Sequence, residues 1–185
     1  MRTLLADLYG EERGGAYCDC ARRQEQIWLQ ATSETSPTRL KMMRETILPR
    51  VAVYAVLKDN GEDADTVLGR YVREIAGPKM HRIYAGAEKV PFFYGIFSRA
   101  MVHITEKSDL WDCASKREKD RFALNIHKCL WHETCMECGY PEACRFFCEC
   151  DEYTYGNLRK IGFTRTKTLG TGGELCDFTF YRKEL

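Results

Sequence analysis

Apolar residues recur at helical spacing in the first half of the chain and alternate in the last third. Leu40, Met43, Ile47, Val51 and Tyr54 fall three to four residues apart, as one buried helical face requires. Ser36 is placed to cap that helix and Pro37 to open it. Pro49 lies inside the pattern and is expected to kink or divide it, and Asp59-Asn60-Gly61 to end it. Val67, Leu68, Tyr71, Val72 and Ile75 form a second stripe, with Asp63 or Asp65 as cap and Gly77-Pro78 as stop. A third helix begins near Pro91. There Phe92, Phe93, Ile96, Phe97, Ala100, Met101 and Ile104 give the broad apolar face expected of a central core helix. Residues 16–31 lack breakers but are sparsely apolar, which suits a peripheral helix or an arm.

After the polar run KREKDR at 116–121 the period changes. Phe122, Leu124 and Ile126 alternate with Ala123, Asn125 and His127, as in a half-buried strand. Short helices are predicted over 129–138 and 141–156, the second opened by Pro141. The end reads as a β-hairpin: IGFTRTKTL, the turn GTGG, then ELCDFTFYRK. The reading is an α+β fold, N-terminal helices packed on a small antiparallel sheet with a C-terminal hairpin. Residues 1–35 form a helical N-terminal extension and 36–185 the domain.

Charge and cysteine content narrow the function classes. Lys+Arg 28 against Asp+Glu 27 leaves a net charge of +1 over 185 residues, so no nucleic-acid partner is expected, and KREKDR reads as a solvated loop. With no apolar run near the roughly 20 residues that span a bilayer and no secretory leader at the N-terminus, no membrane partner is expected either. The chain is read as cytoplasmic, and its 10 cysteines as reduced thiols.

Candidate chemistry lies in the last third. On the helix over 141–156, Cys144, Cys148, Asp151 and Tyr155 are spaced by four, three and four residues and share one face. In the final strand Cys176, Phe178 and Phe180 point to one side, Asp177 and Thr179 to the other. Cys148 and Cys176 are thereby expected to approach each other with Asp151 one turn away. On the paired strand Arg165 and Lys167 share a face, opposite Thr164, Thr166 and Thr168. A free cysteine is also among the most buried residue types, so packing alone would account for many of these thiols.

Cys129, Gly139-Tyr140-Pro141-Glu142, Cys148-Glu149-Cys150-Asp151, Phe163-x-Arg165-Thr166-x-Thr168-Leu169, the glycine turn and Cys176-Asp177-Phe178 follow in a fixed order. On these motifs the segment from Cys129 to Phe180 resembles the C-terminal half of the L-2-amino-thiazoline-4-carboxylic acid hydrolase family. The helices from about 40 to 104 fit its N-terminal half in outline. The resemblance implies hydrolytic opening of a 2-aminothiazoline ring to N-carbamoyl-cysteine, with a small-molecule substrate and no cofactor. Such a reaction needs a base for water, an acid for the departing sulfur and a partner for the substrate carboxylate. Asp151 or Asp177 is the expected base, and Arg165 with the Thr168 hydroxyl the expected carboxylate site. Cys148 is a candidate nucleophile, with Cys176 as its partner or as pocket lining. Homo-oligomerisation stays open.

Two alternatives compete. Cys135-x-x-Cys138 with Cys144 and Cys148 supplies four thiolates for zinc or an iron–sulfur centre, flanked by His127 and His132. The spacing Cys144-x-x-x-Cys148-x-Cys150 matches no common knuckle, however. The other alternative is a non-catalytic small-ligand module, its apolar pocket lined by Phe92, Phe93, Phe97, Phe146 and Phe147.

Overall fold

In the computed structural model, which describes residues 1–184, helices α1 (Arg2–Tyr9) and α2 (Glu11–Ala31) fold back on each other about Gly10, whose φ is +80°. A Cβ at Gly14 would lie 2.6 Å from the Leu5 carbonyl, so only glycine admits so close an approach. Ser36 accepts from the Arg39 amide and Pro37 opens α3 (Pro37–Met42), as its sequence predicts. A π-helical turn (Met43–Ile47) then leads into α4 (Leu48–Asp59). Leu4, Leu5, Tyr17, Cys18 and Ala21 pack into one core with Ile47, Val51, Tyr54 and Leu57, so the N-terminal helices share that core.

A π-turn divides α3 from α4 ahead of Pro49, as expected, whereas the stop expected at Gly77-Pro78 is corrected, and one device underlies both. Proline clashes with the carbonyl four residues back and lacks an amide hydrogen. Ahead of Pro49 the helix widens instead of breaking, and the Leu48 amide donates to the Met43 carbonyl five residues back. The same occurs beyond α5 (Ala64–Tyr71). A π-turn (Val72–Ala76) carries the chain into α6 (Gly77–Ala87), with the Gly77 amide donating to Val72, so Gly77-Pro78 is no stop. Asp63 is the cap of α5, accepting from the Thr66 amide.

Helix α7 (Phe93–Lys107) is not the central core helix that its apolar content suggests. Phe93 and Phe97 are buried against the sheet, whereas Phe92 is 89% exposed and Ile96 and Ile104 are about half exposed. The helix is apolar on two stripes, and only one is covered.

Strands β1 (Trp111–Arg117), β2 (Arg121–Cys129), β3 (Ile161–Thr164) and β4 (Cys176–Arg182) form one antiparallel sheet in the order β1-β2-β4-β3. Strand β1 absorbs the first two residues of KREKDR. It has no clean apolar alternation because it is an edge strand, half-buried at most. Helices α8 (Leu130–Glu137) and α9 (Cys144–Tyr155) fall between β2 and β3. Phe122, Leu124, Ile126, Cys176, Phe178 and Phe180 are buried on one sheet face and build a second core with Phe93 and Phe97. The α+β expectation thus stands. Helix α9 joins the two cores, placing Cys144 and Phe146 in the helical one and Tyr155 against Phe180 in the other.

Helices α6 and α9 cross at Gly77, where a Cβ would lie 2.3 Å from the Tyr153 Cβ. Gly77→Ala should therefore cost about 2 kcal/mol, read as a lower denaturant midpoint at unchanged m-value. A midpoint equal to that of the parent protein would show that the crossing is not this close.

Candidate active site

The candidate site lies where the two cores meet. Cys144 and Cys148 of α9 belong to the helical core, whereas Cys176 at the start of β4 and Cys129 at the end of β2 belong to the sheet core. A short 3-10 turn (Leu169–Thr171) runs between them. The Leu169 amide donates to Cys176 Sγ at 3.3 Å. At the next residue, a Cβ on Gly170 would lie 2.8 Å from Cys148 Sγ and 3.0 Å from Cys144 Sγ. Consecutive residues of one turn thus separate the two sulfurs, and the expected approach of Cys148 to Cys176 is present. Cys129 is close enough to both for their charges to be felt.

The thiols are held protonated. The neighbouring Cys144, then burial, then the Asp151 charge push the Cys148 thiol up, against a contact from the Thr168 hydroxyl. Cys144 is raised in turn by its neighbour Cys135. Burial raises Cys129 to about 12 and Cys176 to about 11. Arg165 acts to lower Cys176, but burial outweighs it.

Two carboxylates of the site lie in opposite environments. Asp151 is surrounded by protein although a third of its side chain stays open to solvent. Burial raises its pKa to about 7, opposed by Arg165 and reinforced by Glu152. Arg165 offsets little because its Nη1 lies 3.9 Å from Asp151, donating instead to the Cys148 carbonyl at 2.7 Å, while Nε and Nη2 donate to Glu152. Asp177 is partly buried. Hydrogen bonds from the Thr166 hydroxyl and from the Lys167 and Thr166 amides outweigh that burial and hold its carboxyl low.

Placement on the 165–168 segment departs from the expected alternation. Strand β3 ends at Thr164, and the Asp177 clamp takes up the Thr166 and Lys167 amides. Arg165 therefore turns onto α9 and is nearly buried, while Lys167 points away and pairs with Glu174. Thr168 is buried beside Thr171, its Oγ1 2.9 Å from that hydroxyl. Sequence reasoning missed Glu152 and Gly170 as parts of the site. Glu152 is an exposed helical residue with no pattern to mark it, and Gly170 reads as an ordinary turn glycine.

A family model described as L-2-amino-thiazoline-4-carboxylic acid hydrolase matches residues 39–180. The chain belongs to the L-2-amino-thiazoline-4-carboxylic acid hydrolase family. The match covers every site residue named above, from Cys129 to Asp177. No curated protein and no solved structure matches the chain.

For this family member the alternative sites fare differently. Among the described residues no three His, Cys, Asp or Glu side chains are arranged to hold a metal ion. Cys135 adjoins Cys144, but the Cys138 thiol, raised to about 12, answers only to burial and to Glu137. The phenylalanines proposed to line one pocket are divided: Phe146 lies in the helical core, Phe93 and Phe97 in the other, and Phe92 in solvent. One cleft, of about 170 Å³, lies between Glu34, Arg39 and Glu133. A second, of about 310 Å³, is lined by Ala85, Glu88, Lys89, Arg159 and Lys160. Neither borders the thiols.

Removing the clamp tests its role. Asp177→Ala leaves the Thr166 and Lys167 amides without their acceptor and should cost about 1–2 kcal/mol at neutral pH. Because folding lowers the Asp177 pKa, the gap to the parent is full above the ordinary carboxyl value near ~3.9. It closes as pH falls through the lower folded value. Urea titrations of both proteins from pH 7 down to about 2.5 would reveal a gap that stays constant if Asp177 is not ionised in the fold.

Proposed function

We propose that the chain is a hydrolase that opens the ring of L-2-amino-thiazoline-4-carboxylate, or of a closely related cyclic amidine carboxylate, to the N-carbamoyl-cysteine type of product. The observation that carries this reading is a carboxyl raised to about 7, one helical turn from a buried thiol cluster, in a chain of this family. A group with that pKa is matched to proton transfer near neutrality, ionised often enough to take a proton and acidic enough to return it.

Ionised Asp151 takes one proton from water as its oxygen bonds to C2, the ring carbon between sulfur and nitrogen. The other water hydrogen ends on the ring nitrogen. Collapse of the tetrahedral centre breaks the C2–S bond and leaves the water oxygen as the new carbonyl. Asp151 returns its proton to the departing sulfur, so no net proton is gained or lost. Cys148 and Cys176 serve as thiols, giving the substrate sulfur soft, uncharged neighbours. Arg165 and Thr168 receive the substrate carboxylate, which takes the place of Glu152 on the guanidinium. Glu152 is mostly exposed and free to leave. Asp177 acts through the backbone of Thr166 and Lys167 and positions Arg165.

Release of a new thiol from the thiazoline reports turnover. The parent protein should show kcat/KM rising with pH through an acid limb near 7. Asp151→Asn should abolish the limb and lower kcat/KM by about 10²–10⁴, while Cys148→Ala should keep the limb and most of the rate. Equal losses in the two variants would replace direct water attack with covalent attack by Cys148, and no turnover by the parent protein would overturn the substrate assignment.

A further inference from the structure

One stretch of the chain differs from the rest in both charge and polarity. Between Gly77 and Thr105 the only carboxylate is Glu88, in a chain with 27 acidic residues. Glu88 is buried and accepts from the Arg159 and Lys160 amides. This stretch therefore exposes no negative side chain of its own, while Lys79, Arg82, Lys89 and Arg99 are all exposed. It also carries Met80, Ile83, Val90, Phe92, Ile96 and Ile104, half of the 12 large apolar side chains exposed among the described residues. Monomers rarely leave so much apolar surface in one region without a use for it.

The two properties meet at the connection between α6 and α7. Phe92 stands there with φ +55°, a left-handed conformation that costs a phenylalanine energy, and its ring is 89% exposed. Val90 precedes it, and Ile96 follows one turn into α7. Beside this tip lies the cleft of about 310 Å³ formed by Ala85, Glu88, Lys89, Arg159 and Lys160, and Lys160 Nζ donates to the Val90 carbonyl. The charges felt at Tyr94 of α7 are those of Arg117 at the end of β1 and of Glu118 and Asp120 in the β1–β2 connection. One base and two acids leave that side of α7 without a positive excess, so the cationic character is that of α6, the α6–α7 connection and Arg159–Lys160.

We infer that the α6–α7 hairpin docks this protein onto membranes carrying anionic phospholipid, with Phe92, Val90 and Ile83 entering the interface and Lys89, Arg159 and Arg82 meeting the headgroup phosphates. Apolar side chains beside Lys89, Arg159 and Lys160, with the neighbouring Glu88 buried, are what an anionic bilayer surface attracts. A second copy of the chain fits less well, because a two-fold contact about Phe92 would set Lys89, Arg159 and Lys160 against their own copies. Among the described residues no helix is long and apolar enough to cross a membrane. The expectation of no membrane partner rested on that and on the balanced overall charge, and surface association needs neither a span nor a net charge.

Co-sedimentation of the full chain with phosphatidylcholine vesicles, with and without phosphatidylserine, tests the inference. Binding is expected only with phosphatidylserine and should weaken as salt is raised. Phe92→Gly should lower vesicle affinity about tenfold or more. Glycine accepts φ +55°, so thermal stability should not fall and unfolding cannot explain the loss. Arg82→Glu with Lys89→Glu should lower affinity by at least as much, each charge being worth about fivefold near such a surface. The inference is overturned by equal binding to both vesicle types, by no binding to either, or by a Phe92→Gly protein that binds as the parent does. A dimer without vesicles that Phe92→Gly dissolves would assign the face to a second copy instead.

Discussion

Helix α9 belongs to two cores at once, and the site exists because of that division. Its first turns pack Cys144 and Phe146 among the N-terminal helices, and its last turn sets Tyr155 against the aromatic face of the sheet. The Leu169–Gly170 turn threads the remaining gap, fixed on one side by Cys176 and pressed on the other against Cys148 and Cys144. A side chain at Gly170 would force the two layers apart. Interiors are packed densely enough that such a displacement would not be absorbed locally.

Two aspartates within this seam show how environment divides identical groups into different roles. Asp177 meets three donors and stays ionised, so its chemistry is spent on holding the backbone of the 166–167 segment. Asp151 has protein around it and few donors, so its charge is poorly supported and its proton is mobile near neutral pH. The interlinked thiols reinforce the contrast. Each raises the next, so the sulfurs form an uncharged, polarisable wall rather than a set of thiolates.

Much of this was legible from residue order. The Ser36–Pro37 start, the Asp63 cap, the alternation of β2 and β4, and the shared face of Cys144, Cys148 and Asp151 all follow from local rules that the tertiary structure does not override. What escaped depended on distant partners. The turn of Arg165 onto α9 is imposed by Asp177, which lies 12 positions further along the chain. Strand β1 has an edge position and hence no pattern of its own. The apolar stripes of α7 are equivalent in sequence, and only the sheet decides that Phe93 and Phe97 are covered while Phe92 and Ile96 are not. Pro49 and Pro78 mark real breaks in α-helical bonding, but a widened turn repairs each break, and widening leaves no trace in composition.

Those two widened turns have a geometric consequence. Each accommodates one residue more than a regular helix of the same rise, so everything after it is rotated by roughly one residue's angle, about 100°. The stripe on α3 and the stripe on α4 are thereby decoupled, as are those on α5 and α6. A single inserted residue, secured by the proline that follows, lets one continuous rod address two differently oriented neighbours.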